Sequence, residues 1–352
     1  MPIKLPFLWV LCVIFSSTIY AQSDTISIEK IFSGFGAVAD QDAFFRAKNE
    51  DRDYSFGAGF NFGGAWVNHK YNPFSYPLNL VNKLPQILFD KDKSGRTLHY
   101  FNLVMKGYTP DSLSSTVIEY GDRPYAGIVF LNFGKRTIRE DDRLFFNSDF
   151  RIGFLGTYLP QELQRTTHDI ARGDGDLPKD PKGWHNQISH GGEITGLLRY
   201  QIGYLPWKLS SDHIFQYIPK FEINLGYYTA IGASLGFKFG KISSSWWGFE
   251  SDYMEYGDVL NRDYKHWFES YVYLKTKYDY VIYDAMLQGQ FRESVYTLNS
   301  NQLVRNVAQF ETGYMLRLGL YETWIGLTMR TTNFSLQNRN HYWVNFGGSF
   351  MF

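Results

Sequence analysis

HYWVNFGGSFMF, residues 341–352, sorts its side chains into two rows. Tyr342, Val344, Phe346, Gly348, Phe350 and Phe352 fall on one face of an extended chain. Trp343, Asn345, Gly347, Ser349 and Met351 fall on the other, because successive side chains of a strand point to opposite sides. The same two-residue period runs through AQFETGYMLRLGL, residues 308–320. There Ala308, Phe310, Thr312, Tyr314, Leu316 and Leu318 are backed by Gln309, Glu311, Gly313, Met315, Arg317 and Gly319. In VYLKTKYDY, residues 272–280, Lys275, Lys277 and Asp279 alternate with Leu274, Thr276, Tyr278 and Tyr280. A charged row behind an apolar row suits a strand with a polar lumen on one side and lipid on the other. One such strand proves little, since soluble sandwiches also alternate.

The rest of the chain decides between them. Its 26 Tyr, 30 Phe and 9 Trp make it 18% aromatic, yet mean hydropathy is only -0.30. No apolar run is long enough for a spanning helix. Twelve alternating runs are found near 31–43, 53–66, 97–107, 125–137, 142–156, 189–204, 214–224, 226–240, 268–283, 303–319, 321–332 and 340–352. An even number is what a single-chain bacterial barrel needs to close with both ends on one side. MPIKLPFLWVLCVIFSSTIYAQ opens the chain with a lysine, an apolar run and small residues, the pattern of a secretory signal peptide cleaved after Ala21. The only cysteine, Cys12, lies inside it, so packing and hydrogen bonds must hold an exported, disulfide-free fold. A strand ending on phenylalanine resembles the C-terminal signal of bacterial outer-membrane barrels. We therefore expect a signal peptide over 1–21 and, over 22–352, an all-β transmembrane antiparallel barrel of about twelve strands in the bacterial outer membrane. The 35 basic and 35 acidic residues cancel, which leaves nothing to attract a nucleic acid.

Parity then places the unusual segments. With both termini periplasmic, the connections after strands one, three and five are extracellular. These hold GAVADQDAFF and NEDRDYSFG, then GYTPDS and YGDRPYAG, then ELQRTTHDIARGDGDLPKDPKGWHNQI. In the last, Pro160 opens a short helix, where its missing N–H costs nothing. Gln164 and His168, four apart, share one face of it. Leu163, Thr167 and Ile170 form a different stripe that can pack. Segments 67–96 and 241–267 are long connections without an assigned role.

The outer rim therefore gathers one histidine on a helix, carboxylates, amides and glycine-rich backbone. It has no cysteine, no serine in a nucleophile-elbow setting and no pair of histidines at metal spacing. A lone histidine suits a general base that takes a proton from water. Attack of water on an acyl carbon also needs something to stabilise the oxyanion. A hard cation such as Ca²⁺, held by carboxylates and carbonyls, is one device; Asp42 and Asp174 offer carboxylates, Gly173 and Gly175 free carbonyls.

Four blocks carry a resemblance: QDAF (41–44), DRDYSFG (51–57), YTPDS with DRPYAG (108–127), and LGTYLPQELQRTTHDIARGDGDLPKDPKGWHNQI (155–188). In these the chain resembles the outer-membrane lipid A 3-O-deacylases, twelve-stranded barrels that hydrolyse an ester on the 3′ side of lipid A. The resemblance implies a Ca²⁺-dependent esterase acting on lipid A of lipopolysaccharide in the outer leaflet. It implies that His168 activates water, that Asp42 and Asp174 bind Ca²⁺, and that Gln41, Ser55 and Gln164 position the metal, the water or the oxyanion. Gln41 stands where the family has asparagine, Ser55 where it has threonine and Asp174 where it has glutamate. Ser114 and Ser115 stand where some members carry a lysine.

Plainer readings exist for the same residues. Asp42 suits a turn, Asp174 a polar loop, and Ser55 a lumen filler. Asp122, Arg123 and Tyr125 read as an ion-paired loop root. Trp184, with Asn186 and Gln187, reads as a rim anchor at headgroup level. The competing functions are an outer-membrane phospholipase, which would use a serine nucleophile, and a non-catalytic barrel or channel that has lost its site. A monomer is expected in each case.

Overall fold

The computed structural model describes residues 34–42, 53–63, 95–139, 143–171, 181–206, 214–242 and 268–351. Twelve strands close into one antiparallel barrel in which each pairs with its sequence neighbours and the first with the last. They are β1 (Gly34–Gln41), β2 (Asp53–Gly63), β3 (Gly95–Thr109), β4 (Ala126–Arg139), β5 (Leu144–Leu155) and β6 (Glu193–Tyr204). Then follow β7 (Phe215–Gly226), β8 (Tyr228–Lys241), β9 (Phe268–Asp284), β10 (Asn306–Leu318), β11 (Tyr321–Arg330) and β12 (His341–Met351). Helix α1 (Leu159–Ala171) follows β5, and the short α2 (Ala285–Gln288) follows β9. Among the described residues no helix is long and apolar enough to cross a membrane. The signal-peptide segment, the long connections at 67–94 and 243–267, Phe352, and residues Gly173, Asp174 and Gly175 lie outside the described residues.

Alternation has the expected sense. On β10, Phe310, Tyr314 and Leu318 are exposed, whereas Glu311, Met315 and Arg317 are buried. On β9, Leu274, Tyr278 and Tyr280 are exposed and Asp279 is buried. Closure against β12 removes the free strand edge that lipid could not satisfy.

The lumen is filled rather than open. Arg199 and Asp149, both fully buried, meet at 2.8 Å, and Asp149 also accepts from Tyr100 at 2.7 Å and Asn132 at 3.0 Å. Lys277 bridges Glu222 at 2.7 Å, and Arg317 bridges Glu269 at 3.1 Å. Above these pairs the loop end of the barrel is crossed by its own connections. Val281, Leu287, Leu298, Leu303, Val307 and Phe334 form an apolar cluster there. From the β9–β10 connection, Tyr296 accepts from the Gly121 N–H at 3.0 Å and donates to the Asp122 carbonyl at 2.9 Å in the β3–β4 connection.

Arg199→Met removes the cation in contact with the buried Asp149 charge and should cost about 3–5 kcal/mol, the usual penalty for breaking a buried ion pair. Adding Asp149→Asn removes that charge and should recover most of the loss. Denaturant unfolding of the two variants in detergent, followed by the heat-modifiable band on gels, checks this; equal destabilisation in both would contradict it.

Candidate active site

The connections that carry the rim motifs all leave the same end of the barrel, and the candidate residues gather on one arc of its wall, β1 to β4. The geometry starts at β2. Tyr54 faces inward, its hydroxyl donating to Asp40 at 3.0 Å. Pairing with β3 then slips: Tyr54 opposes Tyr108, but Phe56 opposes Gly107. Ser55 is the extra residue of this β-bulge, a device that re-aims a side chain. It turns away from the lumen to join Thr109, the two hydroxyl oxygens 2.6 Å apart and both residues fully buried. Ser55 is therefore not lumen filler. Asp53, just before it, adopts φ 58, a left-handed conformation that aspartate tolerates better than most residues.

Asp42 follows β1 and is 2% exposed. Its N–H donates to the Ser55 carbonyl at 3.5 Å, extending the β1–β2 ladder one residue past Gln41, which opposes Phe56. The acid and the serine are thus held together by backbone.

Helix α1 lies against the outside of β3 and β4. Tyr108 and Ile128 line the lumen, so by alternation Gly107 and Gly127 face outward. Both supply space. A Cβ on Gly107 would lie 2.2 Å from the Phe56 ring, and one on Gly127 would lie 2.7 Å from Cγ of Pro160. Pro160, which opens α1, is seated in the hollow at Gly127; Leu163 packs on the cluster of Phe56, Leu113, Tyr125 and Trp184. Gln164 and His168, one turn apart on the same face, are 2% and 3% exposed. The stripe expected to pack is only partly used, since Leu163 is half-buried and Thr167 exposed.

Trp184 was expected to anchor the rim at headgroup level, and the structure overturns this. It is fully buried, its ring 5.1 Å from that of Tyr125, and its Nε1–H donates to Gln164 Oε1 at 2.8 Å. Indole nitrogen only donates, so the orientation of the Gln164 amide is fixed: oxygen toward Trp184, NH₂ on the other side. Segment 181–190 is sewn to the wall around it. Lys182 N–H donates to the Leu113 carbonyl, Ile188 N–H to the Tyr125 carbonyl, both at 2.8 Å, and Asn186 Nδ2 to the Thr116 carbonyl at 3.1 Å. The ion-paired loop root is also corrected. Asp122 accepts the backbone N–H groups of Asp111 and Arg123, both at 2.7 Å, while the Arg123 guanidinium lies over the Tyr108 ring at 4.4 Å.

The structure thus brings Asp42 to Ser55, and Gln164 and His168 to one helix face that packs one and two strands away on the same wall. Thr109 and Gly127 belong to this arrangement and were missed, and Trp184 belongs to it in a role other than the one expected; the glycines Gly107 and Gly127, which face each other across β3 and β4, were the sequence signal. For calcium, Asp42 is a buried oxygen donor of the right kind. Among the described residues no three carboxylate, histidine or cysteine side chains converge as a metal set. Asp174, the second expected ligand, lies outside those residues.

A closed, disulfide-free twelve-stranded barrel with an apolar outer belt and a polar lumen is a bacterial outer-membrane protein. A family model described as "Outer membrane protein LpxR" matches residues 7–352, and the chain belongs to that family. No curated protein sequence matches the chain. Among solved structures it is similar to LpxR from Salmonella typhimurium, at 14% identity and a TM-score of 0.69, covering 91% of this chain and 100% of that one. It matches the β-domain of the Bordetella autotransporter BrkA at 8% identity and a TM-score of 0.40, covering 91% and 98%. At these identities the first likeness supports the fold alone, and the second carries no argument.

Gly127→Ala should lift α1 by forcing Pro160 from its seat while leaving the barrel intact. The check is hydrogen exchange: the amides of Arg165 to His168 should exchange at least about tenfold faster than in the wild type, as for a helix that has lost its packing. Unchanged protection would show that the helix is held by other means.

Proposed function

We propose that this protein is a lipid A deacylase that cleaves a 3-linked acyl ester by attack of a water molecule activated by His168. The observation that carries the reading is the position of Gln164 and His168: two polar side chains buried against the outer wall of a membrane barrel, on a helix whose Leu163 packs with Phe56, the neighbour of the bulge residue Ser55. A substrate resident in the outer leaflet reaches that face sideways, without entering the lumen.

In this scheme the imidazole of His168 takes a proton from water as the water oxygen bonds to the acyl carbon. The carbonyl electrons move onto oxygen. Collapse of the tetrahedral adduct breaks the bond to the sugar oxygen, which recovers the proton from the imidazolium. The products are a free fatty acid and a sugar hydroxyl. Gln164, its oxygen engaged by Trp184, offers its NH₂ to the developing oxyanion or to the water. Gln41 stands at the end of β1 beside Phe56, with one methylene more than the family's asparagine. Ser55, tied to Thr109, and Asp42 complete the polar floor. Ca²⁺, with Asp42 and Asp174 as its ligands, would polarise the ester carbonyl and offset the charge that forms there.

A serine-nucleophile phospholipase fits less well, because the Ser55 hydroxyl is bound to Thr109 and not to an imidazole, the pairing such a nucleophile needs. The packed lumen and crossed loop end weigh against a channel.

Mass spectrometry of lipid A incubated with the purified barrel and calcium should show loss of one acyl chain. His168→Ala should lower the rate by about 10²-fold or more, as expected for loss of a general base. Chelation should abolish the reaction, and a sulfonyl fluoride should not. Intact lipid A after incubation with folded, calcium-loaded wild type would end this reading.

A further inference from the structure

The β9–β10 connection, residues 285–305, crosses the loop end of the barrel, and the proposed chemistry uses none of its side chains. Its polar contacts converge on Ser189, five residues after Trp184. The Ser189 N–H donates to Ser294 Oγ at 2.9 Å, and the Ser189 hydroxyl donates to Glu193 Oε1 at 2.5 Å. The other oxygen of Glu193 accepts the Arg292 N–H at 2.8 Å, and the Arg292 guanidinium returns to the Gly192 carbonyl at 3.2 Å. Glu193 thus stands between Ser189 and the connection, with one carboxylate oxygen for each.

Ser189 is where this grip matters. It is fully buried and adopts φ 56, a left-handed conformation that a serine keeps only where its surroundings over-determine it. Its carbonyl oxygen fills the space that Gly156 leaves by lacking a side chain; a Cβ there would lie 2.0 Å away. Gly156 is the first residue after β5, and α1 begins three residues later. The adjacent Ile188, whose N–H donates to the Tyr125 carbonyl, shares one apolar cluster with Leu155 at the end of β5 and with Ala285 and Met286 of α2. The connection therefore grips the wall where both parts of the site's cover are rooted. One is α1, with Gln164 and His168; the other is segment 181–188, with Trp184.

We propose that Glu193 is a positioning residue for the hydrolysis. Through Ser189 it locks the β9–β10 connection to the root of α1, and so fixes where the helix carries Gln164 and His168. Its effect on rate rests on the deacylase reading, whereas its effect on α1 and Trp184 stands without that reading.

The test compares Glu193→Ala, Glu193→Gln, Ser294→Ala and Ser294→Thr in the full-length barrel, folded in detergent with calcium. One readout is steady-state deacylation of lipid A. The other is the indole N–H signal of Trp184 in a nitrogen–proton NMR spectrum, assigned by its loss in Trp184→Phe. A misplacement of about 1 Å, even from a change remote from the chemistry, can cost about 10²-fold in rate. Glu193→Ala and Ser294→Ala should therefore lower kcat by about 10- to 100-fold with KM little changed, the mark of an effect felt in the transition state. Both should also shift or broaden the Trp184 signal. Ser294→Thr keeps the accepting hydroxyl and should keep both readouts at the wild-type level. Glu193→Gln, with one accepting oxygen left, should fall between. Should Glu193→Ala fail to fold, Ser294→Ala and its threonine rescue carry the same comparison. An unmoved Trp184 signal in the alanine variants overturns the lock, whether or not the barrel cleaves lipid A. A moved signal with undiminished kcat overturns the positioning role. A wild type that cleaves nothing, in variants of which the signal still moves, keeps the lock and ends the deacylase reading.

Discussion

A polar side chain on the outside of a membrane barrel has nowhere to go. Lipid offers it no hydrogen bond, and burial without one costs several kcal/mol, about 2–7 by transfer measurements. Gln164 and His168 sit on that outside, so the protein must supply its own cover. It does so with α1, whose first turn is seated at Gly127, and with segment 181–190, stitched by backbone bonds to the β3–β4 connection. Everything else at the candidate site follows from this cover. Trp184 is buried because it fills the space between α1 and the wall, and burial makes its N–H depend on Gln164 for a partner.

The lumen solves the inverse problem. Its wall carries charges, and these pair with each other: Arg199 with Asp149, Lys277 with Glu222, Arg317 with Glu269. Such pairs add little net stability over apolar packing but are expensive to break singly. They brace the strands from inside, while the bulge at Ser55 shifts register and turns that hydroxyl toward Thr109. The two faces of one wall thus carry different work.

Most of the barrel was legible because alternation is a direct read-out of which face a side chain takes. The rows of β9, β10 and β12 were assigned correctly from residue type alone, and closure followed from the count of twelve. What alternation cannot see is a change in its own register. The bulge made Ser55 look like a lumen residue. Trp184 looked like an interfacial aromatic because burial by a helix from another part of the chain leaves no local mark. Asp122 and Arg123 looked paired because they are adjacent, yet neighbouring side chains diverge, and Arg123 instead crosses onto Tyr108. The helix face with Gln164 and His168 was readable from spacing, whereas Thr109, the partner of Ser55, was not, since that contact joins residues 54 apart.

The proposal at the centre of the account is that His168 works beside a calcium ion held by Asp42. Paramagnetic relaxation measures that directly. With a lanthanide such as Gd³⁺ in place of calcium, the imidazole proton signals of His168, assigned by their loss in His168→Gln, should broaden beyond detection. In Asp42→Asn they should stay sharp. Sharp His168 signals in the lanthanide-loaded wild type, with Asp42 broadened, would place the histidine away from the acid and contradict the account.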